Sequence, residues 1–80
     1  MQKKHILSGM NKIRLYRQQK GISQTQFAGL LSWHQSDVSR AEQRLDAGIG
    51  LQPEDARHIE NITGIPRMQL LYPLEFKQAS

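Results

Sequence analysis

SQTQFAGLLSWHQSDVSRAEQR, residues 23–44, holds two short helical patterns separated by a few small and polar residues. Ser23 is placed to cap the first pattern. Its hydroxyl can accept from the Gln26 amide while the Gln26 side chain reaches back to Ser23. Phe27, Ala28 and Leu31 share one helical face, with Ile22 as a hydrophobic staple, so the spacing predicts helix 2 over 24–31. Ser32-Trp33-His34 is too short to return an antiparallel helix and suits a sharp turn. Helix 3 follows at 35–43, with Val38 and Ala41 apolar and Leu45 just beyond. Gln35, Ser36, Asp37, Ser39, Arg40 and Gln43 cover the rest. A helix polar over most of its circumference has little to bury. An 80-residue chain can hardly spare a helix as decoration. This one is expected to present hydrogen-bonding groups to a partner.

Outward from that stretch, Met10, Ile13 and Tyr16 predict helix 1 over 10–19, started at Ser8-Gly9 and stopped by Gly21. Leu45 to Gln52 reads as a Gly-containing connection. Pro53 opens helix 4 over 53–63, with Glu54 and Asp55 at its positive end and Ala56, Ile59 and Ile62 on its buried face. Gly64 ends it; Pro66 opens helix 5 to Leu71, and Pro73 closes it. No apolar run reads as a strand. The expected fold is all-α, a compact bundle of five short helices. Residues 1–9 are expected to be a flexible basic segment, 10–73 the folded domain and 74–80 a tail.

Composition excludes several function classes. There is no cysteine, which removes disulfides, thiolate catalysis and cysteine zinc sites and suits a reducing cytoplasm. The histidines His5, His34 and His58 lack metal-ligand spacing, so no metal and no cofactor are expected. Apolar runs are too short to span a membrane or serve as a signal peptide. No nucleophile–base or carboxylate pair has a defensible geometry, so an enzyme is not expected. Charge is uneven. Residues 1–44 carry eight basic side chains against Asp37 and Glu42, while 45–80 carry three against five acids, for a net charge of +4 overall. The pattern fits ordinary solvated surface, or a front that faces a polyanion.

Two helices joined by a short turn, the second polar and outward-facing, match the helix-turn-helix. A B-DNA major groove is about as wide as one helix with its side chains. Residues 13–43, IRLYRQQKGISQTQFAGLLSWHQSDVSRAEQ, resemble the lambda-repressor-like helix-turn-helix family, which includes phage repressors and Cro proteins. The shared pattern is an Ile-Arg-x-x-Arg helix, a Gly-apolar-Ser-Gln start and Ala28 at the fifth residue of helix 2. Leu31, Gln35-Ser36, Val38-Ser39-Arg40 and Glu42 continue it, and PEDARHIENITGIPR (53–67) is more loosely similar to small Cro-like prophage regulators.

The resemblance implies duplex DNA binding. In relatives the residue matching Gln24 contacts a phosphate and buttresses the first glutamine of the recognition helix, here Gln35. A bidentate amide suits adenine N6/N7, which makes Gln35 the first candidate for a base contact, followed by Ser36, Ser39 and Arg40. Arg40 fits either guanine O6/N7 or a phosphate. Asp37 fits either cytosine N4 or the positive end of its own helix. Arg17 and Glu42 match a pair that forms a structural salt bridge in relatives. Lys12, Arg14, Lys20 and Arg44 fit phosphate contacts or plain surface charge, and Lys3, Lys4 and His5 an arm on the backbone or a loose terminus.

Three positions depart from the family. Ser32 stands where a turn glycine is usual, Trp33 where a small aliphatic is, and His34 where a Ser or Thr cap is. Trp33 fits the core near Phe27 and Val38, or the DNA edge. His34 fits a loose cap, or a phosphate contact. The expected function is a sequence-specific transcription regulator of phage or prophage type, a repressor acting as a homodimer on an inverted repeat. The dimer surface would use helix 5 and its tail (Ile65, Met68, Leu70, Leu71, Tyr72, Leu74, Phe76) or the loop at 45–51. The alternative is an antitoxin-like autoregulatory protein whose main partner is another protein.

Overall fold

The computed structural model describes residues 10–75, so the expected basic segment at 1–9 and all but the start of the expected tail lie outside the described residues. Among the described residues the regular structure is helical, with no strand: α1 Lys12–Lys20, α2 Gln24–Leu31, α3 Gln35–Asp46, α4 Pro53–Thr63 and α5 Arg67–Leu71. No helix among them is long and apolar enough to cross a membrane.

The first helix begins two residues later than its periodicity suggested. Asn11 caps it, its side-chain oxygen accepting from the Arg14 amide at 2.7 Å. Asparagine is among the strongest N-cap residues. Gly21 takes φ +69° past its last turn, a left-handed conformation that glycine adopts without steric cost. The α2 cap is reciprocal: the Ser23 hydroxyl accepts from Gln26 N–H at 3.1 Å, and Gln26 Oε1 accepts from Ser23 N–H at 2.8 Å. α3 runs three residues past the expected end at 43. Leu45 is buried and gives it a further inward contact, while Asp46 is held by Asn11 and Arg14. α5 starts at Arg67, with Pro66 outside it as the cap.

Phe27, Ile13, Leu31, Val38, Ile59 and Leu70 are the large apolar side chains with almost no exposure, and they join all five helices in one core. Burying each contributes about 1.5–3 kcal/mol. Tyr16 meets Phe27 edge-on, at 5.7 Å between ring centroids. Ile62 departs from its expected place on the buried face of α4 and is exposed, while Ala56 and Ile59 are buried; each three-residue step falls about 60° short of a full turn, so Ile62 sits about 120° round the helix from Ala56. In and around α5 the expected apolar set divides. Ile65 and Leu70 are buried, while Met68, Tyr72 and Leu74 are exposed.

The loop between α3 and α4 leans on α5. Leu51 N–H donates to Leu70 O at 2.9 Å, and a Cβ on residue 50 would overlap the Leu71 carbonyl. Glycine at that position permits the approach. Leu74, expected to begin the tail, lies against Gly48 of the same loop.

Candidate nucleic-acid interface

α3 has two sides of different chemistry, set by its sequence spacing. Val38, Ala41, Glu42 and Leu45 recur at three- and four-residue intervals and are buried. Gln35, Ser36, Arg40 and Gln43 are exposed and Ser39 is half-buried. Asp37, Arg40 and Arg44 border a groove of about 680 Å³ that is also lined by Trp33, Ile49, Leu51 and Asp55. Its two arginines are balanced by two aspartates, so it is not a cradle for anions alone.

The start of α3 is held by the turn before it. Ser32 takes φ +59° there, in the left-handed region that a non-glycine residue enters at a cost of about 1–2 kcal/mol. His34 is the N-cap residue, with its ring exposed. Asp37 Oδ2 accepts from the His34 backbone N–H at 3.1 Å. The turn is braced from α4, because the His58 Nε2 nitrogen donates to Leu31 O at 2.8 Å in its Nε2–H form. The His58 ring lies beside Trp33, with 6.0 Å between centroids. Trp33 therefore packs against the core, one of the two environments expected for it, and it also borders the groove.

The exposed side chains of α3 are ordered by one another and by α2. Gln35 Nε2 donates to Gln24 Oε1 at 2.6 Å, which joins the first residues of α2 and α3. Gln43 Nε2 donates to Ser39 Oγ at 3.3 Å, and Arg40 Nη2 donates to Asp37 Oδ1 at 2.6 Å. Ser36 is exposed between them. Gln43 joins this group although sequence reasoning did not single it out. Its signal was its place four residues after Ser39 and eight after Gln35.

Most of the remaining candidates are engaged elsewhere. Arg44 donates through Nε and Nη2 to Gly50 O, at 3.2 and 2.7 Å, and so straps the α3–α4 loop to α3. Lys12 and Lys20 lie at opposite ends of α1, and Lys20 Nζ sits 5.6 Å from the centre of the Tyr16 ring. Arg14 is no plain surface charge, since it is 3.1 Å from both Glu42 and Asp46. Arg17 Nε is 2.7 Å from Glu42 Oε2, and the Glu42 side chain is 1% exposed. Asn11 Nδ2 completes the network by donating to Asp46 Oδ1 at 2.8 Å. This cluster ties α1 to the inner side of α3. No protein-family model matches the chain, and no curated protein or solved structure matches it either.

Proposed function

We propose that this protein binds duplex DNA in a sequence-specific way through a helix-turn-helix formed by α2 and α3, and that it regulates transcription as a Cro-like repressor. The observation that carries the reading is the outer side of α3. It offers amides, hydroxyls and a guanidinium, pre-ordered by hydrogen bonds and backed by an ion-pair network around the buried Glu42. Amide and guanidinium groups are those that read adenine and guanine edges in the major groove. Gln24 would hold Gln35 on its base while sharing a phosphate contact, with Ser36, Ser39 and Gln43 along the groove. The basic bias of residues 1–44 supports a polyanion as partner.

One such helix reaches few base pairs, so two copies on an inverted repeat are the natural arrangement, with half-sites about one helical turn apart. Exposed Ile49, Met68, Tyr72 and Leu74 supply apolar surface for pairing. The same surface also suits the second reading, an antitoxin-like protein that holds a different protein and represses its own gene. The test is binding to duplex fragments across a salt titration, for wild type beside Gln35→Ala and Arg40→Ala. The expected result is that wild type selects a short palindrome as two copies, while each variant keeps weak, salt-sensitive binding and loses selection. Equal binding of all sequences by all three proteins overturns the reading. Selection by a single copy, with a second protein required for repression, moves it to the alternative.

A further inference from the structure

We propose that Asp37 determines specificity by positioning Arg40, so that Arg40 reads a guanine and does not hold a phosphate. The inference rests on the DNA-binding reading above and goes beyond it. Asp37 is one of two acids in residues 1–44, against eight basic side chains, and the other, Glu42, is buried. Asp37 is thus a partly exposed carboxylate beside Arg40 on the side of α3 proposed to face a polyanion, where Asp55 of α4 is the other acid of the same groove. A carboxylate there weakens non-specific attraction to phosphates. Its pair with Arg40 is exposed, with side chains 34% and 69% accessible. Exposed pairs of this kind add little to stability. General affinity does not account for the placement, and folding accounts for the bond to the His34 amide at the N-terminus of α3 but not for the contact with Arg40.

Geometry does. Both carboxylate oxygens of Asp37 are engaged: Oδ2 on the His34 amide at 3.1 Å and Oδ1 on Arg40 Nη2 at 2.6 Å. The first bond fixes the carboxylate to the backbone at the start of α3. The second restrains a side chain that would otherwise sample many rotamers. The Asp37 contact uses Nη2 and leaves the rest of the Arg40 donors available. A phosphate approaching Arg40 meets the neighbouring negative charge. Guanine O6 and N7 are uncharged acceptors and meet no such repulsion. The pair therefore favours a base edge over the backbone.

The test selects bound sequences from a random-sequence duplex DNA library, using the full chain as wild type, Asp37→Asn, Arg40→Lys and Glu60→Gln. Asparagine keeps an acceptor for the His34 amide while losing the charge that orients Arg40. Lysine keeps the positive charge and loses the fork. Glu60→Gln makes the same change in net charge as Asp37→Asn, but on α4, where Glu60 pairs with Arg67 at 2.9 Å. Circular dichroism melting confirms that each variant is folded. The expected result is a guanine at one position of each wild-type half-site, preferred by roughly tenfold or more. Asp37→Asn and Arg40→Lys lose preference at that same position, Asp37→Asn gains affinity for mismatched duplexes, and Glu60→Gln keeps the wild-type profile. An ordered wild-type profile that Asp37→Asn leaves unchanged, or loss at different positions in the two α3 variants, overturns this inference alone. A flat wild-type profile overturns the DNA-reading proposal and this inference with it.

Discussion

Of the three carboxylates on α3 that pair with arginine, Glu42 and Asp37 do so in opposite environments. Glu42 points inward, is 1% exposed, and sits between Arg14 and Arg17 of α1. Asp37 borders the outer groove, is 34% exposed, and holds Arg40 three residues along its own helix. The chemistry is the same; the surroundings separate the roles. In a low-dielectric site a partnered charge is strongly coupled to folding, because losing one partner leaves the other buried and uncompensated. Near water the same contact is worth about 1 kcal/mol or less. What the outer pair contributes is orientation, while the inner cluster fixes where the helix stands.

The largest expected effect breaks the inner side. Glu42→Gln leaves Arg17, which also donates to Ile22 O at 3.4 Å, without its charge partner. The expected loss is about 3–5 kcal/mol in urea unfolding. That is a large share of the stability of a small domain, typically about 5–15 kcal/mol. A loss below about 1 kcal/mol, equal to that of Asp37→Asn, removes the distinction between the two sites. Next in size is Gly50→Ala, which acts behind the groove. The added methyl collides with the Leu71 carbonyl, a backbone atom that cannot swing aside. The expected destabilisation is about 1–3 kcal/mol. It also loosens the loop that Arg44 straps to α3. An unchanged urea midpoint shows that the loop does not rest on α5 in solution.

Much of this arrangement was legible because local rules and tertiary packing agree. Ser23 and Gln26 advertise the start of α2, and the polar circumference of α3 advertises its outward side. What escaped was long-range. Asn11, Arg14, Glu42 and Asp46 lie more than 25 residues apart across α1 and α3, so no local period shows that they meet. That network also explains two of the misplaced boundaries, the start of α1 and the end of α3. Asn11 doubles as cap and cross-link, and Asp46 lengthens α3 because it has a partner to reach. Ile62 misled for a different reason: successive three-residue steps drift round the helix, and by Ile62 the stripe has left the core-facing side. Arg44 looked like a free cation because its acceptor is a backbone carbonyl, which every residue carries.

Ser32→Gly sharpens the comparison from the turn between α2 and α3. Glycine takes φ near +59° without strain, and its greater freedom in the unfolded chain offsets part of the gain. The net expectation is a stabilisation of about 0.5–1 kcal/mol. Trp33 fluorescence in the folded state should be unchanged, because the His58 brace remains. A change in that emission means that Ser32 sets the angle of the turn, and then DNA selection should change with it.

The smallest effect bears on the contrast most directly. Asp37→Asn should cost about 1 kcal/mol or less in stability, since it removes an exposed pair and a favourable charge at the N-terminus of α3 while keeping a capping acceptor. Both lost terms are screened by salt. At about 1 M salt the screening length falls to about 3 Å, and the difference from wild type should close to a few tenths of a kcal/mol. The Glu42→Gln penalty should persist under the same conditions, because ions do not enter the site that buries that carboxylate. Paired melts at low and high salt separate these cases. If both penalties shrink together, the Glu42 cluster is open to solvent and α3 has no locked side. If neither shrinks, Asp37 is a structural residue like Glu42, and its hold on Arg40 belongs to folding and not to the reading of DNA.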